Sequence, residues 1–200
     1  MPETKKASKG NVDYVAPEES NAAISVMKFL GLLALILVLA IFIRMFVFSP
    51  FEIPSGSMEN TILPSDMVFS EKVSYKFKSP EAGEIVTFAD PNQEGRTLIK
   101  RVIATEGQTV DLQDGSVFVD GKKLEEPYTK DSVPSSYPLS TASGVDIEYP
   151  YKVPEGEIWV MGDNRTESAD SRYFGSVPVS SVSGHANFRY WPPDRVGPLE

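Results

Sequence analysis

The chain has 200 residues and a formal net charge of -9, from 28 acidic and 19 basic side chains. This acidic balance, without a basic stripe, argues against a nucleic-acid partner, since phosphate backbones are bound by clustered Lys and Arg. Cysteine is absent, which excludes disulfides, thiolate metal ligands and cysteine nucleophiles. The 16 prolines and 14 glycines favour short strands and turns over long helices.

The N-terminal part of the chain divides into a polar tail, residues 1–27, and an apolar run from Lys28 to Phe48. We expect the tail to be disordered. The interior of the run, Phe29 to Ile43, has no charge, and about twenty residues at 1.5 Å each cross a bilayer core. Because no small-x-small cleavage motif follows, the run is predicted to be an uncleaved transmembrane helix rather than an export signal.

Lysine placement predicts the orientation of this anchor. The residues Lys5, Lys6, Lys9 and Lys28 precede or open the apolar run, whereas the twenty residues after Phe48 contain neither Lys nor Arg. Positive charge accumulates on the cytoplasmic side of membrane proteins. We therefore expect a single-pass protein of the cell membrane, with residues 1–27 cytoplasmic and residues 49–200 extracytoplasmic.

Beyond the anchor the sequence predicts a mainly β fold in one domain. Short β-prone runs are separated by turn residues, and they are Asp66–Val73, Glu84–Phe88, Leu98–Ile103, Ser116–Val119 and Glu157–Met161. The dipeptide Asp120-Gly121 predicts a hairpin turn. Residues 125–154 lack periodicity and are rich in Ser, Pro, Tyr and Thr, which indicates an insertion or long loops on the β body.

The candidate nucleophile is Ser57, in the turn Pro54–Met58 that follows the apolar run. A serine needs a base, and His185, the one histidine, lies in a strand-like stretch where a structural role is commoner. Lys100 alternates with Leu98 and Val102, and burial would lower the pKa of its amine towards neutrality. Alternation alone leaves a snorkelling surface lysine equally open. Arg101, the next residue, has equally apolar neighbours, but arginine does not deprotonate and so cannot be the base.

Several segments in order resemble the conserved boxes of bacterial type I signal peptidases. The resemblance spans about residues 28–193 and rests on the apolar anchor and the segments Pro54–Met58, Lys100–Val102, Gly162–Arg165, Ser168–Gly175 and Phe188–Pro192. It implies an antiparallel β-sheet catalytic body behind one N-terminal transmembrane helix. The implied activity is a serine endopeptidase that removes signal peptides by a serine-lysine dyad, without metal or cofactor.

The resemblance also implies roles for single residues. Ser57 matches the nucleophile and Lys100 the general base. Ser55 matches a hydroxyl that assists the main-chain amide of the nucleophile in an oxyanion hole, where negative charge develops in the transition state. Gly56 would shape the turn between them.

Three further residues match the groups that support the dyad. Ser168 matches a hydroxyl that orients the lysine amine, and Asp170 with Arg172 matches an ion pair beneath the site. If the segment is extended, the three side chains share one face. The alternative for the pair is a surface salt bridge, which contributes little to stability.

The implied substrates are exported preproteins with small residues at the first and third positions before the cut. Candidates for the pocket walls are Phe51, Ile53 and Met58, with Val68 a weaker one. Only nine residues separate Phe48 from Ser57, which keeps the nucleophile near the bilayer surface. The lipid bilayer is therefore an expected partner, and the export machinery is a further one.

Three departures from the family pattern touch the loops around the site. Asn60 replaces a common proline, Ala104–Gln108 replaces Gly-x-Pro-Gly-Asp, and Thr166-Glu167 replaces Asp-Asn. They put substrate range in question more than reaction type. A non-catalytic surface-polymer assembly factor is the alternative function. A penicillin-recognising acyltransferase requires Lys three residues after the nucleophile, where this chain has Asn60.

Overall fold

The computed structural model describes residues 19–129 and 147–199. The chain forms two compact units, residues 1–41 and 42–200. The first 18 residues of the predicted tail and residues 130–146 of the predicted insertion lie outside the described residues.

The first element is a long helix, α1 Glu19–Phe46. Its stretch Ala22–Phe46 has a mean hydropathy of 2.9 and is long and apolar enough to cross a membrane. The described helix extends N-terminal to Lys28, where the predicted membrane span begins, because hydropathy marks the apolar stretch whereas helical structure continues through the Ala-containing residues before it. At the other end, Ser49-Pro50 disfavours helix and the chain becomes extended at Phe48.

Twelve strands follow among the described residues, with one short helix, α2 Ser171–Phe174. The strands are β1 Phe48–Glu52, β2 Met67–Glu71, β3 Ile85–Ala89, β4 Thr97–Thr105, β5 Thr109–Gln113, β6 Ser116–Val119, β7 Lys122–Lys123, β8 Tyr151–Lys152, β9 Glu157–Met161, β10 Val177–Pro178, β11 Val182–Trp191 and β12 Gly197–Pro198. All five predicted strand segments are present, and the predicted mainly β, antiparallel fold is confirmed.

The larger sheet has eight strands in the order β1-β2-β11-β3-β4-β9-β10, with β12 paired to β11. Every described pairing in it is antiparallel. Strand β4 lies in its middle, where Lys100 is opposite Val86 of β3 and Arg101 is opposite Met161 of β9. Its residues Ile99 to Ala104 are buried at consecutive positions, so β4 is covered on both faces of the sheet.

The smaller sheet has four strands in the order β7-β6-β5-β8. Its predicted turn Asp120-Gly121 is confirmed, with φ of 51° and 73° joining Val119 to Lys122. A second turn of the same kind, Asp114-Gly115, joins β5 to β6 with φ of 46° and 78°. Two successive residues in the left-handed region match the right-handed twist of the flanking strands.

The described ends of the predicted insertion belong to the smaller sheet. Leu124 on one side and Ile147, Tyr149 and Tyr151 on the other pack against one apolar cluster. Residues 125–154 are therefore only partly an insertion on the β body, since Tyr151–Lys152 is the edge strand β8.

Three apolar clusters form the described core. One lies beneath the turn that follows β1 and includes Ile53, Met58, Ile62 and Val68. A second, with Trp159 at its centre, is shared by the two sheets. The third lies around β3, β4 and β9. The first and third clusters bracket the part of β4 that carries Lys100, and so fix the strand against the turn of Ser57.

Candidate active site

Ser57 lies in a single helical turn, Gly56–Met58, that directly follows an extended Ser55. The amide of Glu59 donates to the Gly56 carbonyl at 3.0 Å and closes the turn. Met58 is fully buried in the apolar cluster below and anchors it. Ser57 is itself only 7% exposed, so its side chain is largely shielded from solvent.

Lys100 comes from the middle of β4 and reaches the same point. Its Nζ donates to Ser57 Oγ at 2.7 Å and to the Ile99 main-chain oxygen at 2.8 Å. The residue is 3% exposed. A snorkelling surface lysine, the alternative that the alternation pattern left open, is therefore excluded by burial.

Burial is the largest influence on the Lys100 amine and lowers its pKa to about 8. The positive charge of Arg96, just before β4, lowers it further, while the carboxylates of Asp170, Asp163 and Asp90 oppose the shift. Desolvation disfavours the ammonium form, so the neutral amine becomes accessible near physiological pH. A neutral amine at hydrogen-bond distance from a hydroxyl is able to act as its base.

The turn Gly162–Arg165 holds the backbone of the serine turn from the other side. Asn164 donates from Nδ2 to the Gly56 oxygen at 3.0 Å and from its main-chain amide to the Ser57 oxygen at 3.1 Å. A Cβ at Gly162 would collide with the Ser57 carbonyl oxygen and with Ser168 Oγ. This close approach explains why glycine begins the turn.

Asp170 and Arg172 form a fully buried bidentate ion pair beneath this turn. Arg172 donates from Nε to Oδ1 and from a terminal nitrogen to Oδ2, both at 2.8 Å. Burial raises the pKa of Asp170, but the Arg172 charge and the Gly162 amide, which donates to Oδ2 at 3.0 Å, more than offset it and the net pKa is lowered. The surface salt-bridge alternative is wrong, because both side chains are inaccessible to solvent.

The extended geometry predicted for Ser168 through Arg172 is wrong at its end. Asp170 is the N-cap of α2 and accepts from the Arg172 amide at 3.2 Å. A carboxylate at this position satisfies an otherwise unpaired amide of the first helical turn, which favours a helix start over a continued strand.

A second buried ion pair was not predicted from the sequence. Arg101 donates from Nε and a terminal nitrogen to Asp163 at 2.9 and 2.8 Å. Its other terminal nitrogen donates to the Gly83 oxygen at 2.8 Å. The sequence signal was an arginine flanked by apolar residues in a strand, because a buried arginine requires a carboxylate partner.

Ser55 and Ser168 lie beside the dyad in different environments. Ser55 is exposed, makes no capping hydrogen bond to the turn, and borders the groove above Ser57. Ser168 is fully buried, with its Oγ next to Gly162. Among described contacts the Lys100 amine bonds to Ser57 and Ile99, so an orienting bond from Ser168 stays a prediction.

An open groove of about 370 Å³ lies over Ser57 and Lys100. It is lined by both of these and by Ser55, Asp90, Asn92, Gln93, Arg96, Leu98, Glu167, Ala169 and Phe174. The predicted pocket residues Ile53, Met58 and Val68 instead lie in the apolar cluster below, with Phe51 partly buried against it. Their contact with substrate stays a prediction, since it requires the groove to open towards this cluster.

His185 lies on β11, away from the dyad. It is opposite Glu71 of β2 and Val86 of β3, and its ring centroid is 5.9 Å from that of Tyr75. It does not line the groove over Ser57. The structural role expected for this histidine agrees with that placement.

An antiparallel β body that buries a serine-lysine pair under an open groove has the layout of a serine hydrolase with an amine base. The profile of a protein family, signal peptidase, peptidase S26, matches residues 26–191. The chain belongs to this family, as the resemblance of its sequence segments predicted.

Individual relatives agree with the family match. A probable signal peptidase I-1 of Synechocystis sp. is 41% identical over 175 residues, which are 84% of this chain and 84% of that protein. Signal peptidase I of Leptolyngbya laminosa is 36% identical and covers 92% of this chain and 89% of that protein. In the crystal structure of a signal peptidase I from Enterococcus faecalis, the chain is 31% identical in sequence to this one. The superposition has a TM-score of 0.44 and covers 54% of this chain and 97% of that chain.

Proposed function

We propose that Ser57 is the nucleophile and Lys100 the general base with which this serine endopeptidase removes signal peptides. The observation that carries the assignment is the 2.7 Å hydrogen bond between Lys100 Nζ and Ser57 Oγ in a buried site. The lowered pKa of Lys100, about 8, supports the same roles. An assembly factor without catalysis is unsupported, since both groups are present and in contact.

The proposed reaction begins when the neutral Lys100 amine takes the Ser57 hydroxyl proton. Ser57 Oγ then attacks the scissile carbonyl carbon, and the carbonyl π electrons move onto oxygen. The resulting oxyanion is within the proposed reach of the Ser57 amide and the Ser55 hydroxyl. The first amides of a helical turn have no partner within the turn, which leaves the Ser57 amide suited to this task.

In the second half of the reaction the leaving amine is protonated and water hydrolyses the ester on Ser57. The Lys100 ammonium protonates the departing amine as the peptide C–N bond breaks, which leaves an ester on Ser57. Lys100 is then neutral again and takes a proton from an incoming water. The hydroxide attacks the ester carbonyl, and as the intermediate collapses the Lys100 ammonium gives its proton to Ser57 Oγ, which releases the acid product and restores both the hydroxyl and the neutral amine.

The assignment is tested by cleavage of a preprotein by the detergent-solubilised full chain. We expect Ser57→Ala and Lys100→Met to lose at least about 10³-fold in kcat, since each removes a member of a unit that acts together. His185→Ala is the matched control, and it should cleave like the wild type. Wild-type cleavage by Lys100→Met would overturn the role of Lys100 as base.

The pH dependence gives a second test. The rate should rise with pH through an apparent pKa of about 8, because the protonated amine is inactive. A rate that keeps rising to the ordinary lysine value of about 10.5 would contradict a desolvated base. The measurement is kcat/KM from about pH 6 to about pH 11 with one preprotein, because kcat/KM reports the titration of the free enzyme.

We also propose the finer substrate preference and the orientation. Small residues at the first and third positions before the cut are supported by the apolar side chains of Leu98 and Ala169, which line the same groove as Ser57. Replacing the residue before the cut by a bulky one should abolish cleavage. An extracytoplasmic body is supported by the lysines before the apolar run, and protease protection in right-side-out cells would test it.

A further inference from the structure

The segment Leu124–Thr129 leaves the smaller sheet after β7 and reaches the turn Gly162–Arg165. Its Glu126 carboxylate forms an ion pair with Arg165 at 2.6 Å. The Arg165 side chain is 0% exposed and that of Glu126 is 8% exposed. A buried guanidinium needs a carboxylate partner, and Glu126, in the segment that follows the smaller sheet, supplies it.

Tyr128 of the same segment contacts both arginines that surround the turn. Arg101 Cζ lies 4.0 Å from the centroid of the Tyr128 ring, and Arg165 Cζ lies 5.9 Å from it. The Tyr128 carbonyl accepts from Asn60 Nδ2 at 3.3 Å, in the stretch that follows the nucleophile. Aromatic faces attract guanidinium groups, more strongly where solvent is excluded.

The two arginines bind different residues of the turn Gly162–Arg165, which contacts the backbone of the serine turn. Arg165 donates from Nε to the Gly162 oxygen at 2.9 Å, at the start of the turn. Arg101 forms the bidentate pair with Asp163. The next residue, Asn164, makes the two hydrogen bonds to the carbonyls of Gly56 and Ser57.

We infer that Glu126 and Tyr128 are positioning residues, which hold the turn Gly162–Arg165 and through it the Ser57 hydroxyl against Lys100. The inference rests on the proposed function, because it concerns the alignment of that nucleophile. It assigns a role in catalysis to a segment of the smaller sheet that touches neither Ser57 nor Lys100. It also accounts for Asn60, which the family pattern did not.

A purely structural role for the segment would leave the dyad unaffected. The cluster around Trp159 covers the smaller sheet without Glu126 or Tyr128. Their contacts go instead to Arg165, which ends the turn, to Arg101, which pairs with Asp163 of the turn, and to Asn60. Loss of these contacts should therefore displace the serine turn more than it weakens the apolar core.

The test compares Glu126→Gln and Tyr128→Leu with wild type in preprotein cleavage by the solubilised full chain. We expect kcat to fall by about 10²-fold, because a displacement of order 1 Å between reacting groups has an effect of that size. KM should stay within about twofold, since ground-state binding in the groove is not touched. Tyr128→Phe keeps the ring between the arginines and should retain the wild-type kcat.

A matched control separates positioning from general destabilisation. Val117→Ala removes buried volume from the cluster of the smaller sheet and should lower the thermal midpoint while leaving kcat unchanged. If Tyr128→Leu lowers the midpoint as Val117→Ala does but keeps the wild-type kcat, the positioning role is overturned. An increase in KM at constant kcat would overturn it too, by making the segment a substrate contact.

Two further comparisons keep the outcome decisive. If Glu126→Gln does not yield folded protein, Tyr128→Leu carries the test, because it leaves the ion pair of Glu126 with Arg165 in place. Failure of the proposed function looks different, since Ser57→Ala or Lys100→Met would then cleave normally. Failure of the positioning role leaves those two variants inactive and the two segment variants fully active.

Discussion

The two sheets of the body bury different chemistry. Among the described residues, strands β5 to β8 of the smaller sheet bury no charged side chain and bury Val110 and Val117. The larger sheet and the turns beside it bury seven charged residues, namely Asp66, Lys100, Arg101, Asp163, Arg165, Asp170 and Arg172. The smaller sheet is stabilised by apolar packing, whereas the larger sheet buries ion pairs around the amine of Lys100.

The difference shows how a lysine can be kept both buried and reactive. Each of the arginines near the site has a carboxylate partner, so their charges are compensated locally. Lys100 has no ion-pair partner of its own among the described contacts, and its amine bonds to a hydroxyl and a carbonyl. Desolvation therefore acts on the lysine while the paired arginines remain charged.

The largest expected effect on stability comes from breaking a pair in the larger sheet. Asp170→Asn leaves the Arg172 guanidinium buried without a countercharge and should lower the free energy of unfolding by about 3–5 kcal/mol. Urea denaturation of the full chain measures it. Asp194→Asn, at an exposed position, is the control and should change that free energy by less than about 0.5 kcal/mol.

The next effect has the opposite sign. The folded-state pKa of Lys100 is about 8 and the ordinary value is 10.5, so below pH 8 the unfolded chain holds the proton more tightly and the folded state is penalised. The penalty is at most about 3 kcal/mol and is relieved as pH rises from about 8 to about 10.5. Lys100→Met should therefore raise the thermal midpoint at pH 7 and have little effect at pH 10.5. A lower midpoint at pH 7 would contradict a penalised amine.

A third change, in the smaller sheet, should affect stability alone. Val117→Ala leaves a cavity in the cluster around Trp159 and should lower the free energy of unfolding by about 2 kcal/mol. Turnover at a temperature where the variant remains folded should equal that of the wild type. Reduced kcat there would mean that apolar packing also aligns the site, and the contrast between the sheets would be weaker than described.

The smallest effect is expected at His185. Its imidazole packs beside Tyr75, outside the groove. His185→Ala should keep kcat within about twofold and should not move the pH profile. A displaced profile would mean that His185 contributes to the titration assigned to Lys100.

Local patterns in the sequence predicted strands in both sheets. Ser116–Val119 and Glu157–Met161 are strands with the predicted bounds, and Asp120-Gly121 is the predicted hairpin turn. These features depend on alternation and turn chemistry, which neighbouring residues determine. Helix α1 extends beyond the predicted membrane span because hydropathy reports the apolar stretch and not where a helix begins.

The site could be predicted at positions where the reaction permits few residue types. Ser57 and Lys100 were chosen because one needs a base and the other can become neutral, and the structure places them in contact. The pair of Arg101 with Asp163 joins residues 62 apart in the chain, and Glu126 with Arg165 joins the segment after β7 to the turn after β9. No local pattern encodes such partners, since they depend on how the strands assemble.

The 2.7 Å contact between Lys100 and Ser57 has a consequence for how the protein and its substrate exchange protons. With an amine pKa of about 8, roughly one molecule in ten carries the neutral, reactive lysine at pH 7. A peptide that fills the groove should desolvate the amine further and raise this fraction, and the expected result is a lower apparent pKa in kcat than in kcat/KM. Substrate capture is then coupled to proton release into the medium, and apparent affinity increases with alkalinity. Each bound chain thus helps to create the base that cleaves it.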